Sequence, residues 1–266
     1  MRRLALVLLV AAAFTVAAAS VASAQPAEPA EPDTVAEFGV NVDSESDGVG
    51  QTVTLILLLT VGAVAPSILL MMTAFVRFAV VFGIAKQALA LQTVPPPQVL
   101  VGLALFLTAF VMAPVFEVVY SDAFVPLLDG QMDVTEALSA AYDPMRQFML
   151  AQTRPEDLQL FAGMAGLDGA AAAEIPAQVL VPAFVISELR TAFIIGFIVF
   201  LPFLILDLVV AASLMSLGMV MLPPVFISLP LKLLLFILVD GWHLLVGSMV
   251  RSVEMVDVAA RAGGLA

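Results

Sequence analysis

The stretch Leu214-Met215-Ser216-Leu217-Gly218-Met219-Val220-Met221-Leu222-Pro223-Pro224 interrupts a run that otherwise reads as one apolar helix. Proline removes a backbone donor and clashes with the preceding turn, so a helix here must stop or kink. The break holds a glycine, two consecutive prolines and three methionines, Met215, Met219 and Met221. Irregular backbone at membrane depth is tolerated only where protein buries it or where it lines a pathway. Thioether side chains are flexible and polarizable. Two readings follow: ordinary apolar packing, or a soft constriction made by Met215, Gly218, Met219, Val220, Met221, Pro223 and Pro224.

Composition narrows the class. Of the 266 residues, 62% are hydrophobic and 12% charged, a balance foreign to soluble globular proteins. The absence of cysteine excludes disulfides and thiol ligands. One histidine, His243, cannot make a paired-His metal motif; beside Trp242 it reads as a packing or interfacial residue. A net charge of −12 argues against nucleic acid as a partner. No Gly-rich Walker loop, His-Glu-x-x-His helix or Gly-x-Ser-x-Gly elbow occurs. No catalytic residue, metal site or cofactor is therefore assigned, and the chain reads as non-enzymatic.

The N-terminus has the form of a secretory signal. Arg2 and Arg3 precede an apolar stretch from Leu4 to Val16, and Ala22-Ser23-Ala24 offers a small-x-small cleavage site before Gln25. Residues 1–24 are thus expected to be removed. Residues 25–52 form an expected disordered tether: Gln25 to Gln51 carries seven acidic residues and no basic one.

The remainder predicts an all-α fold: a membrane-associated bundle of long, proline-broken helices with a small helical extracytoplasmic domain. Residues 53–116 form a first apolar hairpin, 117–190 the helical domain, 191–250 a second apolar hairpin holding the Met/Pro-Pro loop, and 251–266 a tail. Within the domain, Asp133 and Glu136 predict a capping box opening Val134 to Ala141. Asp143-Pro144 is expected to open a second helix, Met145 to Gln152. Arg154-Pro155-Glu156-Asp157 opens a third, with acids where the helix dipole prefers them. The stretch Arg77 to Gln98 carries Arg77 and Lys86 and no acid, so it reads as a cytoplasmic loop, which puts the tether and the domain outside.

Arg77, Asp207, Lys232 and Asp240 lie in or beside apolar runs. A charge in hydrocarbon costs at least roughly 2.5–3.5 kcal/mol on insertion scales. Such residues face an ion path, or each other in salt bridges. Helices packed in a protein assembly rather than exposed to lipid would accommodate both these charges and the many prolines.

Five blocks carry a family resemblance: Pro66-Ser67-Ile68-Leu69-Leu70-Met71-Met72-Thr73; Pro96-Pro97-Gln98-Val99-Leu100-Val101-Gly102-Leu103-Ala104-Leu105-Phe106-Leu107-Thr108; Met112-Ala113-Pro114-Val115-Phe116; Ser187-Glu188-Leu189-Arg190-Thr191-Ala192-Phe193; and Asp240-Gly241-Trp242-His243-Leu244-Leu245-Val246-Gly247-Ser248. In this order they resemble the FliP family, the P subunits of the flagellar type III protein export gate. The resemblance implies a homo-oligomer, a pentamer, joined to Q and R subunits in a closed helical pore beside the A and B subunits of the export apparatus. It implies a place in the bacterial inner membrane and flagellar basal body, much of it on the periplasmic side. The substrates would be unfolded flagellar proteins. A methionine gasket maps onto Met219 and Met221, with Val220 where many members have a third methionine. Arg154, Glu188, Asp207, Lys232 and Asp240 become candidate subunit contacts. The competing reading is a secondary transporter or channel for a small solute or ion, suggested by broken helices near Asp207 and Lys232; such proteins commonly carry inverted repeats, and none is visible.

Overall fold

The computed structural model describes residues 48–253 apart from Gln92, Asp168, Ala172, Ala173 and Val220. The expected cleavage site at Ala22, Ala24 and Gln25 lies outside the described residues, as does the tether up to residue 47. The chain divides into two compact units at Ile68/Leu69.

Helix α1, Gly48–Met71, runs across that division and contains Pro66. It begins inside the segment expected to be tether. Within the first unit its outer residues include Ile56, Leu59 and Val64, all exposed.

The second unit is helical throughout its described elements. α2 (Phe75–Ala88) is followed by α3 (Pro97–Val111) and α4 (Ala113–Val119). A single π-turn, Tyr120–Phe124, joins α4 to α5 (Val125–Leu128). Then come α6 (Val134–Gln152), α7 (Pro155–Met164), α8 (Ala177–Ser216), α9 (Val225–Leu238) and α10 (Gly241–Ser252). α8 is the spine. Its 40 residues extend about 60 Å at 1.5 Å per residue, and α2, α6, α7, α9 and α10 all pack on it.

The main core gathers Phe78, Val81 and Phe82 of α2, Phe148 and Met149 of α6, Leu180 and Phe184 of α8, and Leu245 and Met249 of α10. Phe148 and Phe184 meet edge to face at 5.9 Å. A smaller cluster joins Ala88, Leu89, Phe203 and Phe236. Between the two clusters, Gly196 of α8 lets α2 approach closely, since a Cβ there would stand 2.5 Å from Ile84 Cδ1.

Several expectations need correction. The Asp133–Glu136 capping box is present, with Glu136 N–H donating to Asp133 Oδ1 at 2.8 Å and Asp133 N–H to Glu136 Oε2 at 3.2 Å. The helix it opens, however, does not restart at Asp143-Pro144. It continues through Pro144 to Gln152. A proline inside a helix forfeits one backbone bond, and here the buried Pro144, Met145, Phe148 and Met149 form one continuous core-facing stripe that offsets the loss. Nor is Arg77 to Gln98 a loop. Residues up to Ala88 are helical, and Arg77 is 2% exposed. A buried, paired cation says nothing about which side of a membrane the segment faces. The expected boundary at 190/191 falls inside uninterrupted α8.

Large apolar side chains stand bare along α8, among them Phe193, Phe197, Ile198, Leu208 and Val209. Phe106 and Phe110 of α3 and Phe226, Ile237 and Leu238 of α9 are likewise exposed. Among the described residues α8 alone is both long and apolar enough to cross a membrane; counting three bent helix pairs as one span each would give four. Two of those pairs, α3 with the helical stretch to Leu128 and α9 with α10, bend by 62° and 64°.

Candidate functional site

The methionine loop joins α8 to α9. α8 stops through glycine rather than proline: Gly218 takes φ +75°, its N–H donates to the Met215 carbonyl at 3.0 Å, and the Met219 N–H donates to the Leu214 carbonyl at 3.0 Å. This pair of bonds is a Schellman cap, and it needs a left-handed residue that glycine adopts without a Cβ penalty. Pro223 and Pro224, read in sequence as the breakers, instead open α9. Pro224 occupies the N-cap with φ −58° and ψ −26°, and its carbonyl accepts from Ser228 N–H at 2.9 Å. Proline costs nothing at a helix start, where the missing N–H would have had no partner.

The methionines of this break are exposed. Met215 is 64% exposed, Met219 45% and Met221 98%. Leu217 is exposed as well. Val220 lies outside the described residues.

Below the loop, α8 and α9 are pinned by charge. Lys232, 3% exposed, donates from Nζ to Asp207 Oδ2 at 2.6 Å and to the Ala88 carbonyl at 3.1 Å. Thus one ammonium ties α9 to α8 and to the C-terminal end of α2. Asp207 Oδ1 and Ser228 Oγ are buried without a hydrogen-bond partner. Asp240, the other charge noticed in this part of the sequence, is apart from this pair. It turns the corner between α9 and α10 with φ 50°, an unusual conformation for a non-glycine residue, and makes no side-chain cap. Gly241 follows it directly beneath the Phe236 ring, where a Cβ would overlap the ring carbons. Phe236 also meets Trp242 edge to face at 5.4 Å.

The second charged node lies at the other end of α2. Arg77 Nε donates to Glu188 Oε2 at 2.8 Å, and Nη2 bonds Glu188 Oε1. Nη2 also donates to Gln152 Oε1 at 2.9 Å. Nη1 donates to the Ser252 carbonyl at 2.6 Å and to Ser252 Oγ at 3.1 Å. Glu188 is fully buried. The resemblance suggested Glu188 as a subunit contact; in this chain its carboxylate faces Arg77.

Arg154, another suggested subunit contact, sits nearby on the α7 N-terminus. Its backbone N–H donates to Ser187 Oγ at 2.9 Å, and Nη2 donates to Thr191 Oγ1 at 3.1 Å. Ser187 Oγ in turn donates to Asp157 Oδ2 at 2.6 Å. A hydroxyl from α8 therefore takes up the N–H of the α7 N-cap residue and donates its own O–H to Asp157, which does more than meet a helix dipole. Sequence reading gave no contact role to Gln152, Asp157, Ser187, Thr191 or Ser252. The available signal was the spacing of Ser187, Glu188 and Thr191, which places three polar groups close together on a mostly apolar helix. In the same region burial raises the Tyr142 phenol above its ordinary value, with Arg146 opposing and Asp143 adding to the shift. Among the described residues no three His, Cys, Asp or Glu side chains converge as a metal site.

The loop and both charged nodes lie almost entirely within residues 58–249, the stretch that matches the sequence profile of the FliP family. The chain belongs to the FliP family. It is 52% identical to the flagellar biosynthetic protein FliP of Bacillus subtilis over 216 residues, 80% of this chain and 98% of that protein. Against the Caulobacter vibrioides FliP the identity is 51% over 224 residues, covering 83% and 84% of the two chains. The Treponema pallidum FliP is 50% identical over 218 residues, 81% of this chain and 80% of its own. Ser252, the α10 end of the Arg77 node, lies just past the profile match.

Proposed function

We propose that this chain is a non-enzymatic subunit of a flagellar type III protein export gate. Several copies, five by the family resemblance, surround a pore together with Q and R subunits, adjoining the A and B subunits. Unfolded flagellar proteins pass through it across the bacterial inner membrane, and the assembly belongs to the flagellar basal body with much of its mass on the periplasmic side. Ala24 marks the end of a cleaved secretory signal. Met215, Met219 and Met221, with Val220 between the last two, form the seal, one set from each copy. Arg154, Glu188, Asp207, Lys232 and Asp240 support subunit packing, directly or by fixing the helices that carry the contacts.

One observation carries this reading. The methionine side chains emerge from a hairpin with a glycine-capped entrance and a proline-initiated exit, and Met221 is 98% exposed rather than packed in its own core. Flexible thioethers presented in a ring can close on one another at rest and yield to a chain of any sequence. Bare apolar faces on α3, α8 and α9 support the same reading, since contiguous exposed apolar surface marks a site that lipid or protein covers.

The test replaces Met219 and Met221 by alanine in the assembled gate. The expected outcome is increased leakage of ions or small solutes with the complex still of full size. An assembled gate that leaks no more than wild type would remove the seal from the mechanism. Neutralising Asp207 separates a small-solute carrier from an export subunit. The carrier would fold and lose coupled solute uptake, whereas the export subunit would assemble poorly.

A further inference from the structure

We propose that Arg77 is a clamp that holds the C-terminal helix α10 against the α2–α8 framework, independently of whether the methionine loop seals a pore. Three observations converge. First, Arg77 breaks a local rule. It lies in the first turn of α2, where the helix dipole disfavours a cation, and the N-cap residue Ala74 supplies no side-chain cap. A position that violates local preference needs a tertiary reason. Second, that reason is visible in its partners. Gln152 is the last residue of α6, and Ser252 the last of α10. Both are helix C-termini, where partial negative charge gathers; Ser252 accepts through its backbone carbonyl, which lacks an intrahelical donor, and Gln152 through its side-chain oxygen. The guanidinium, neutralised by Glu188, directs its remaining donors to these two ends.

Third, α10 is poorly equipped to stay in place alone. It has twelve residues, too few for a stable isolated helix, and its buried residues are Gly241, Leu245 and Met249. Its N-cap Asp240 supplies no side-chain cap. The bond from Arg77 to the Ser252 carbonyl gives the opposite end a polar anchor. That anchor also closes a mechanical circuit. α8 leads through the methionine loop to α9, α9 turns at Asp240 into α10, and α10 returns through Arg77 to Glu188 on α8. Lysine cannot reproduce the clamp, because it lacks the planar fork that reaches Glu188, Gln152 and Ser252 at once.

The absence of native cysteine makes the test clean. Met249→Cys on α10 and Leu180→Cys on α8 each report a side chain that is fully buried. Maleimide labelling of each single-cysteine full-length chain is measured in detergent, in the wild-type background, in Arg77→Lys, and in the paired apolar replacement Arg77→Met with Glu188→Leu. The clamp predicts at least tenfold faster labelling at position 249 in both altered backgrounds, with position 180 as protected as in wild type. Unchanged labelling at 249 would overturn it. So would equal acceleration at both positions in both backgrounds, which would make Arg77 a support of the whole fold rather than of α10.

Discussion

The methionine loop and the Arg77 node are opposites built into one helix. Both are attached to α8, one at its C-terminal end and the other near Glu188. At the node, every N–H group of a guanidinium is used, and its carboxylate partner sees no solvent. At the loop, backbone hydrogen bonds are made but the methionine side chains stand exposed. The contrast teaches where this protein's stability resides and where its surface is held in reserve. A buried charge stripped of its partner costs more than the pair contributes, so the node holds its charges paired. Thioethers carry no such obligation and can stay bare until another surface arrives.

The comparison can be broken most forcefully at the node. Arg77→Met alone leaves Glu188 buried without its cation and should destabilise the chain by about 3–5 kcal/mol, the range for breaking a buried pair. Denaturant unfolding in detergent measures it, and adding Glu188→Leu should recover most of the loss. A single variant as stable as wild type would mean that the node is not a buried charge pair in solution. The loop backbone comes next. Gly218→Ala forces a Cβ into the left-handed region and should cost about 1–2 kcal/mol, read by the same unfolding midpoint. If alanine is tolerated without loss, the Schellman cap does not terminate α8. The smallest effect belongs to the loop side chains. Met221→Ala should change the stability of the isolated chain by less than about 0.5 kcal/mol, as for exposed positions generally. A loss comparable to that at Gly218 would show that Met221 packs within its own chain.

Much of this was legible from local chemistry. Asp133 and Glu136 stand three apart before a periodic run, and the capping box follows from that spacing alone. The methionine loop was legible because glycine and proline punctuate an apolar run, and the structure divides their roles: Gly218 ends one helix and Pro223-Pro224 begins the next. Pro144 misled because the cost of a missing backbone bond is local, while the packing that outweighs it involves Phe148 and Phe184, far apart in sequence. Arg77 was marked as a charge out of place, yet its partners lie 75, 111 and 175 residues away.

The sequence by itself determined an apolar helical protein, the site of its interruption and the family to which it belongs, because hydropathy, turn chemistry and a series of ordered motifs are properties of neighbouring residues. Only the tertiary structure decided that Arg77 meets Glu188, that Ser187 bridges Arg154 N–H and Asp157, and that Lys232 reaches both Asp207 and the end of α2. Those pairings depend on which helices pack against α8 and at what register. A buried charge accepts whatever partner the packing brings within about 3 Å, and no local pattern specifies that choice.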